Sequence, residues 1–239
     1  MNKKIYIIIV LMSLISFVCF GKDIIDTEIG IGFLDNNTIT FYSLNTSSSS
    51  FEASKISEFS IQSKDEIISI SGIGIGVMSN NTIKFYSPNK SFTAFEESKM
   101  ADFSIPPNDK IISVPGIGIG VINNNTIKFY SPNKSFTAFE ESKMADFSIP
   151  PNDKIISVPG IGIGIINNNT IKFFSPNKTF TAFEKSKISD FTFPPNSIII
   201  SVSNIGIGFL ENNTIKFFSP NRSFTYLEKS RITDFDLPN

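Results

Sequence analysis

The stretch that decides the fold is DKIISVPGIGIGVINNNTIKFYSPNKSFTAFEESKMADFSIPPN, residues 109–152, because related copies of it fill the chain from about Asp23 to Asn239. There are five copies, and they recur every 44 residues, which we interpret as a period without insertion or deletion. Residues 80–120 and 124–164 are identical, which indicates recent duplication. Such a period is typical of repeat architectures, in which each unit buries its apolar face against its neighbours.

Each unit has the pattern of β-structure interrupted by turns. Runs rich in β-branched and aromatic residues predict strands at residues 110–114, 117–122, 126–131 and 136–139. Asn and Pro clusters separate these runs and predict turns, since Asn tolerates positive φ and Pro suits the first turn position. Residues 140–145 leave room for one helical turn, and residues 146–149 for a further extended piece.

The fold class predicted from this unit is all-β, a five-bladed β-propeller built from the five 44-residue repeats. Four strands in a unit of this length match a propeller blade, which has about 40–45 residues in some families. An open β-solenoid of the same five units is the alternative. Asp23 aligns with Ile111 and Asn239 with Pro107. A closed ring would therefore bring residues 235–237 beside residues 24–25.

Two short segments resemble known propeller families. The segment NNTIKFYSPN, residues 124–133, resembles the third-strand region of a WD40 blade. The Trp-Asp and Gly-His signatures of that family are missing, and the sequence contains no Trp or His. The segment ADFSIPPNDKIISV, residues 101–114, resembles the repeats of tachylectin-type five-bladed lectins. Both resemblances imply a propeller, and they are too short to assign binding residues.

The stretch GIGIG occurs at residues 72–76, 116–120 and 160–164. A dinucleotide fingerprint needs a third glycine at a different spacing and a following helix, and a P-loop needs Gly-Lys-Ser/Thr, so we favour a structural role. Alternate side chains of a strand point to opposite faces, so the glycines leave one face bare. We expect the bare face at Gly116, Gly118 and Gly120 to receive aromatic side chains such as Phe129 or Phe136 from an adjacent layer.

The amino terminus has the pattern of a secretory signal. Two lysines precede the apolar run of residues 5–20, and small residues follow. We predict a signal peptide at residues 1–21 with cleavage after Gly21, and a single propeller domain at residues 22–239. The localisation expected is secreted or cell envelope. A lipoprotein anchored through Cys19 is the second alternative, and a retained membrane anchor the third.

Composition excludes several kinds of partner and chemistry. The 21 basic and 22 acidic residues are nearly balanced, so we expect no nucleic-acid partner and no polybasic membrane-surface protein. The domain after the signal is predicted not to span a membrane. The absence of His rules out His-based triads and His-ligated zinc, and the mature chain would contain no Cys. No cofactor or metal is expected.

Each unit carries an acid, a base and an acid at a spacing of three residues. Paired carboxylates suit a glycosidase, but five equal copies favour ion pairs at a blade corner. The sets are Glu52, Lys55 and Glu58; Glu96, Lys99 and Asp102; Glu140, Lys143 and Asp146; Glu184, Lys187 and Asp190; Glu228, Arg231 and Asp234. Asn-x-Ser/Thr sequons also recur, and lysines stand in mid-strand. The sequons begin at Asn80, Asn89, Asn124, Asn133, Asn168, Asn177, Asn212 and Asn221, and the lysines are Lys84, Lys128, Lys172 and Lys216.

The function predicted is therefore an exported, non-catalytic repeat protein that acts as a binding or interaction scaffold at the cell envelope or outside the cell. Its partner is a protein or a glycan that the sequence does not specify. The alternative is a multivalent lectin with one carbohydrate site per blade, in which Tyr86, Tyr130 and Phe174 would stack on sugars in place of Trp. An enzyme is the least favoured hypothesis.

Overall fold

The structure is a computed structural model that describes residues 17–19, 22–27, 29–195 and 197–237. These residues form β-strands and no helix. The predicted cleavage site at Gly21 lies outside the described residues. Cys19, the candidate for lipidation, ends strand β1 (Phe17–Cys19), which pairs with the strand that follows it.

The other strands form five antiparallel sheets, one for each repeat, which we number as blades 1 to 5 in chain order. Blade 1 contains β2 (Lys22–Thr27), β3 (Gly30–Asp35), β4 (Thr38–Leu44), β5 (Phe51–Ala53) and β6 (Phe59–Ser60). Blade 2 contains β7 (Glu66–Ile70), β8 (Gly74–Ser79), β9 (Thr82–Pro88), β10 (Phe95–Glu97) and β11 (Phe103–Ser104). Blade 3 contains β12 (Lys110–Val114), β13 (Gly118–Asn123), β14 (Thr126–Pro132), β15 (Phe139–Glu141) and β16 (Phe147–Ser148). Blade 4 contains β17 (Lys154–Val158), β18 (Gly162–Asn167), β19 (Thr170–Pro176), β20 (Phe183–Lys185) and β21 (Phe191–Thr192). Blade 5 contains β22 (Ile198–Val202), β23 (Gly206–Glu211), β24 (Thr214–Pro220), β25 (Leu227–Lys229) and β26 (Phe235–Asp236).

The first three strands of each blade form a meander close to the one predicted. In blade 3, the first strand is as predicted, the second is shifted by one residue, and the third is one residue longer. A two-residue turn joins β13 to β14, with φ +44° at Asn124 and +64° at Asn125. Positive φ at both positions is what a type I′ hairpin turn requires, which explains the Asn cluster.

The fourth strand of each blade is broken into two short strands, and in blade 3 the extended piece predicted at residues 146–149 is confirmed as the second of them, Phe147–Ser148. In blade 3, β15 and β16 both pair with β14, in the registers Tyr130↔Glu141 and Ile127↔Phe147. The fourth strand thus has three more residues than its partner over this interval, and the extra residues bulge. The predicted strand at 136–139 is therefore wrong, because pairing begins only at Phe139. The helical turn at 140–145 is also wrong, since Glu140 and Glu141 are strand residues.

The apolar core consists of five clusters, one between each pair of neighbouring blades. The bulge of the fourth strand inserts one apolar residue into each of these interfaces. These residues are Ile56, Met100, Met144, Ile188 and Ile232. The cluster between blades 5 and 1 joins Ile24 and Phe33 to Val202 and Leu237, with Phe235 packed against it. The predicted approach of the two ends of the chain is confirmed for Ile24, whereas Ile25 faces blade 2.

Backbone contacts also close the ring. The first strands β2, β7, β12, β17 and β22 each contact the next around a circle, and β22 contacts β2. One backbone N–H in each fourth-strand bulge donates to a carbonyl of the next blade. These bonds are Ser57 to Thr93 (2.8 Å), Ala101 to Thr137 (2.7 Å), Ala145 to Thr181 (2.7 Å), Ser189 to Thr225 (2.8 Å) and Thr233 to Ser49 (2.7 Å). The protein is thus a closed five-bladed β-propeller, and the open solenoid is excluded.

The repeat period is interrupted once, contrary to the prediction. Ile25 pairs with Gly32 in blade 1, and Ile68 pairs with Gly76 in blade 2. The link between the first two strands is therefore one residue shorter in blade 1. By this register Asp23 is equivalent to Lys110, not to Ile111.

The three glycines of GIGIG in blade 3 have different structural roles. Gly116 has φ +75° in the turn before β13, where an added Cβ would meet nothing within 4 Å. Gly118 has φ +136°, and a Cβ there would lie 2.6 Å from the Tyr130 carbonyl oxygen and 2.9 Å from the Phe139 ring. A Cβ on Gly120 would lie 2.7 Å from Ile127.

The aromatic residues predicted to pack on the glycine face were therefore the wrong ones. Phe139 is the aromatic residue beside Gly118. Phe129 is instead the cross-strand partner of Gly120, and Phe136 lies in an exposed loop. The prediction failed because the fourth strand begins later than the pattern of apolar residues suggested.

Candidate functional site

Two sets of connections lie at one end of the propeller, which we call the top face. The four strands of a blade are antiparallel, so the turn between strands one and two and the loop between strands three and four meet at the same end. We call the second set the outer loops. They span residues 45–50, 89–94, 133–138, 177–182 and 221–226. The Asn turns and the linkers between blades lie at the opposite end, the bottom face.

Each outer loop is held by its first residue, an Asn. In blade 3, Asn133 Oδ1 accepts the Thr137 backbone N–H (2.9 Å), and its Nδ2 donates to the Thr137 hydroxyl (3.2 Å). The Asn133 N–H donates to the Ala138 carbonyl (2.9 Å). The Thr137 carbonyl also accepts a hydrogen bond from the backbone N–H of Ala101 in blade 2. The loop is therefore held both by its own Asn and by the neighbouring blade. The Asn133 side chain of this sequon therefore stabilises the outer loop.

The tip of four outer loops is an exposed phenylalanine in the left-handed backbone region. The residues are Phe92, Phe136, Phe180 and Phe224, with φ between +52° and +53° and exposed fractions of 59%, 57%, 53% and 53%. Bulky side chains rarely adopt this conformation, which costs about 1–2 kcal/mol. Blade 1 has Ser48 at the same position, with φ +52°. The loop therefore does not need an aromatic residue to form.

A cation precedes each of these phenylalanines by two residues. The cations are Lys90, Lys134, Lys178 and Arg222, and all four are exposed. Blade 1 again differs, with Thr46 at this position. None of the five outer loops contains an Asp or Glu. The top face therefore presents four pairs of an aromatic ring and a positive charge.

A cavity of about 480 Å³ opens at the centre of the top face. Its wall includes the hydroxyl-bearing residues Ser69, Ser113 and Ser157, which lie on the first strands of blades 2 to 4. Gly116 and Phe224 also line it, so it connects the central turns with an outer loop. Its lining side chains are hydroxyl, amide and apolar groups, which suit a neutral ligand that accepts and donates hydrogen bonds.

The aromatic residues predicted to stack on sugars lie elsewhere. Tyr86, Tyr130 and Phe174 are half-buried between blades, edge-on to Phe59, Phe103 and Phe147 at centroid distances of 4.9, 5.0 and 5.1 Å. Their rings contribute to the blade interfaces, so they are not free to stack on a ligand. The exposed phenylalanines were missed because the pattern placed them in a strand. The signal available was the Ser at the same position of the first unit.

The predicted acid–base–acid sets do not form ion pairs among themselves in the described part of the chain. Asp190 instead pairs with Lys185 (3.6 Å), and Asp234 with Lys229 (3.2 Å). Blades 2 and 3 have Glu97 and Glu141 at the position of these lysines. The sets lie along the broken fourth strands at the outer edges of the blades, and ion pairs with other partners are seen for Asp190 and Asp234.

Two carboxyl groups have shifted pKa values. Burial raises the pKa of Glu66, at the start of β7, above its usual value. The hydrogen bond from Lys216 lowers the pKa of Glu211, and the same bond of 2.8 Å raises the pKa of Lys216. Lys216 is the mid-strand lysine of blade 5, whereas Lys84, Lys128 and Lys172 are exposed. Neither carboxyl group lies on the top face.

The described residues contain no group of three or more Asp, Glu or Cys side chains arranged to hold a metal ion. Within the same residues, no helix is long and apolar enough to cross a membrane.

Comparison with known proteins adds structural likeness alone. No family model matches the sequence, and no curated protein matches it. A functionally unknown protein from Desulfotomaculum acetoxidans is similar in structure, with a TM-score of 0.45 and 14% identity, over 92% of this chain and 72% of that chain. A protein from Lactobacillus plantarum has a TM-score of 0.45 and 8% identity, over 88% and 69%.

Proposed function

We propose that this protein is an exported, non-catalytic binding protein that holds a partner at the cell envelope or outside the cell through its top face. The observation that carries the proposal is the set of four exposed phenylalanines with left-handed backbone conformations. An exposed apolar side chain held at an energetic cost is typical of a binding site, since nothing within the fold gains from it.

The rigidity of the outer loops supports the same proposal. The Asn at the start of each loop and the N–H from the preceding blade fix the backbone before any partner arrives. A preorganised loop loses less conformational entropy on binding, which favours affinity. Five blades on one ring also allow several contacts to act together, so weak single contacts suffice.

The test compares the secreted protein with a variant in which Phe92, Phe136, Phe180 and Phe224 are all replaced by Ser, the residue of blade 1. Binding of the labelled proteins to intact cell envelopes is measured by sedimentation. We expect the variant to keep its melting temperature and to lose at least about tenfold in affinity, since an aromatic anchor commonly contributes 1 kcal/mol or more. A control variant with Pro107 and Pro151 of the bottom face changed to Ser should bind normally. Equal binding by all three proteins would refute the proposal.

The export part of the proposal rests on the amino-terminal sequence. Intact-mass measurement of the protein recovered outside the cytoplasm should give a chain that begins at Lys22. A mass that includes residues 1–21 would refute cleavage, and a diacylated Cys19 would establish the lipoprotein alternative.

Carbohydrate binding is the second candidate, and the central cavity favours it. Serine hydroxyls on its wall and Phe224 at its edge match the polar edges and apolar faces of a sugar. A glycan array followed by titration of any ligand found would test the idea. One sugar per chain would place the site in the cavity, whereas about one per blade would support the multivalent lectin. Absence of any glycan ligand would refute this candidate.

A further inference from the structure

We propose that the partner of the top face is an anionic lipid membrane, with the four phenylalanines inserted at the boundary between headgroups and acyl chains and the four cations against lipid phosphates. This inference rests on the proposed binding role of the top face. It goes further by naming the chemical class of the partner. It departs from the expectation based on net charge, because four cations are concentrated in the outer loops, which contain no Asp or Glu.

The first argument is the geometry of the four tips. Phe92, Phe136, Phe180 and Phe224 occupy the same position in blades related by rotation about the propeller axis. Equivalent points on such blades lie in one plane perpendicular to that axis. A lipid bilayer is a flat surface that all four tips can meet at the same depth. The near-identical φ of the four residues, +52° to +53°, shows that the loops present their tips in the same way.

The second argument is the pairing of ring and charge within each loop. Lys134 and Phe136 lie on one short loop, and the other three loops repeat this arrangement. Membrane-surface segments combine apolar side chains that enter the interface with Lys or Arg that contact anionic headgroups. Carboxylates begin only at the second residue of the fourth strand, such as Glu140, on the outer edge of the blade. Along the chain, the cation two residues before each phenylalanine is therefore the charged residue nearest to it.

The separation of the four tips favours a membrane over an acidic protein as the partner. A protein interface usually has one contiguous apolar centre surrounded by polar residues. Each of the four tips stands on its own blade, and none forms a ring contact with another described aromatic residue. Separate apolar tips, each with a cation in the same loop, suit a bilayer, in which acyl chains lie beneath a layer of headgroup phosphates. An acidic protein partner is accordingly an outcome that the test must detect.

The sequence provides a clean optical reporter, because it contains no Trp. Phe136→Trp puts a single Trp at a top-face tip, and Pro107→Trp puts one on an exposed bottom-face linker as the matched control. Each secreted variant is mixed with vesicles of equal parts phosphatidylcholine and phosphatidylglycerol, and with vesicles of phosphatidylcholine alone. We expect a blue shift of emission, and quenching by brominated acyl chains, for Phe136→Trp with the anionic vesicles. The Pro107→Trp variant should show neither effect.

Two further variants separate the apolar contribution from the charge. Replacing all four phenylalanines by Ser should abolish co-sedimentation with anionic vesicles. When Lys90, Lys134, Lys178 and Arg222 are all replaced by Gln, the partition coefficient should fall roughly 600-fold and lose most of its dependence on salt, because each of the four cations near an anionic surface contributes a factor of about five. Melting temperatures close to that of the parent protein will show that both variants fold.

The results distinguish this inference from the proposed function. If the protein binds cell envelopes in a phenylalanine-dependent way but Phe136→Trp shows no shift with anionic vesicles, the membrane inference is wrong and the partner is an acidic protein or glycan. A shift for Pro107→Trp equal to that for Phe136→Trp would also overturn it, because the top face would then not be the docking surface. Failure of the unmutated protein to bind either cell envelopes or anionic vesicles would overturn the two proposals together.

Discussion

Gly118 shows how strongly a single residue of this chain is constrained. Its φ of +136° disfavours any side chain, and a Cβ would approach the Tyr130 carbonyl oxygen to 2.6 Å. Gly116, two residues earlier, has open space around it but φ +75°. Blade 5 has Asn204 at the position of Gly116, with φ +64°. Conformation is thus the requirement at Gly116, and both conformation and space are requirements at Gly118.

Gly118→Val is therefore expected to lower the free energy of unfolding by about 2–5 kcal/mol, from overpacking and backbone strain together. Gly116→Asn is the matched control and should change it by less than about 1 kcal/mol, because Asn tolerates the left-handed region. Chemical denaturation of both variants measures the difference. Equal stability of the two variants would show that the contact at Gly118 was misassigned.

Phe136 gives a prediction of opposite sign. Its left-handed φ costs about 1–2 kcal/mol, and glycine would remove that cost while losing about 0.5–1 kcal/mol in chain entropy. Phe136→Gly should thus raise the free energy of unfolding by up to about 1.5 kcal/mol and reduce binding. Phe139→Gly is the control and should destabilise by about 3 kcal/mol or more, because Phe139 packs against Phe85 at 5.2 Å. A clear loss of stability in Phe136→Gly would mean that its ring has a structural role.

At the scale of strands, the sequence predicted three of the four strands in each blade within one residue at each end. Alternation of β-branched residues with polar ones marks a strand with two different faces, and Asn pairs mark the turns. The fourth strand was misplaced because FTAF has the composition of a strand, while Asn133 holds its first residues in a loop. The hydrogen bond from the Thr137 N–H to the Asn133 side chain produces no periodic pattern in the sequence. The exposed position of Phe136 could not be predicted for the same reason.

The bulge in the fourth strand is the element that joins one blade to the next. Met144 lies in the bulge of blade 3 and is 5% exposed, in the cluster shared with Ile155 and Ile163 of blade 4. Met144→Ala should lower the free energy of unfolding by about 2–4 kcal/mol through loss of buried apolar surface. The control is Met144→Ile, the residue of the same position in blades 1, 4 and 5, which should cost less than about 1.5 kcal/mol. Thermal and chemical unfolding will compare them, and a similar small loss for both would contradict the interface described.

The whole molecule depends on contacts that pair each blade with two neighbours. The sequence similarity between the units predicted five equivalent blades. It did not predict the shortened link of blade 1 or the hydrogen bonds between blades. The shortened link shifts the alignment of β2 with the repeat by one residue. Residues 24–26 read IID where residues 111–113 read IIS, and this similarity did not reveal where the residue was lost. The backbone hydrogen bonds between blades join residues 36 apart in the chain, or 184 apart between blades 5 and 1. Local composition gives no sign of such pairs.

Deletion of residues 109–152 removes one complete unit and should be far more damaging than its length suggests. Four blades cannot occupy a five-bladed ring without re-spacing every interface, whereas an open array would lose only about one unit's stability. We expect the deletion protein to associate or to melt well below the parent, as measured by light scattering and calorimetry. A monomer that melts within a few degrees of the parent would contradict ring closure.

Ring closure is also what places the four phenylalanine tips on one plane, so the most direct test is a cross-link between the first and last blades. The Thr233 N–H bonds to the Ser49 carbonyl at 2.7 Å, and the Ala145 N–H bonds to the Thr181 carbonyl at the same distance. Ser49→Cys with Thr233→Cys probes the closure, and Ala145→Cys with Thr181→Cys is the matched pair between consecutive blades. Both pairs are made in a chain that starts at Lys22, so that Cys19 is absent, and disulfide formation is followed by intact mass. The closed propeller predicts an intramolecular disulfide in both pairs at similar rates. A disulfide in the 145–181 pair but none in the 49–233 pair would contradict it.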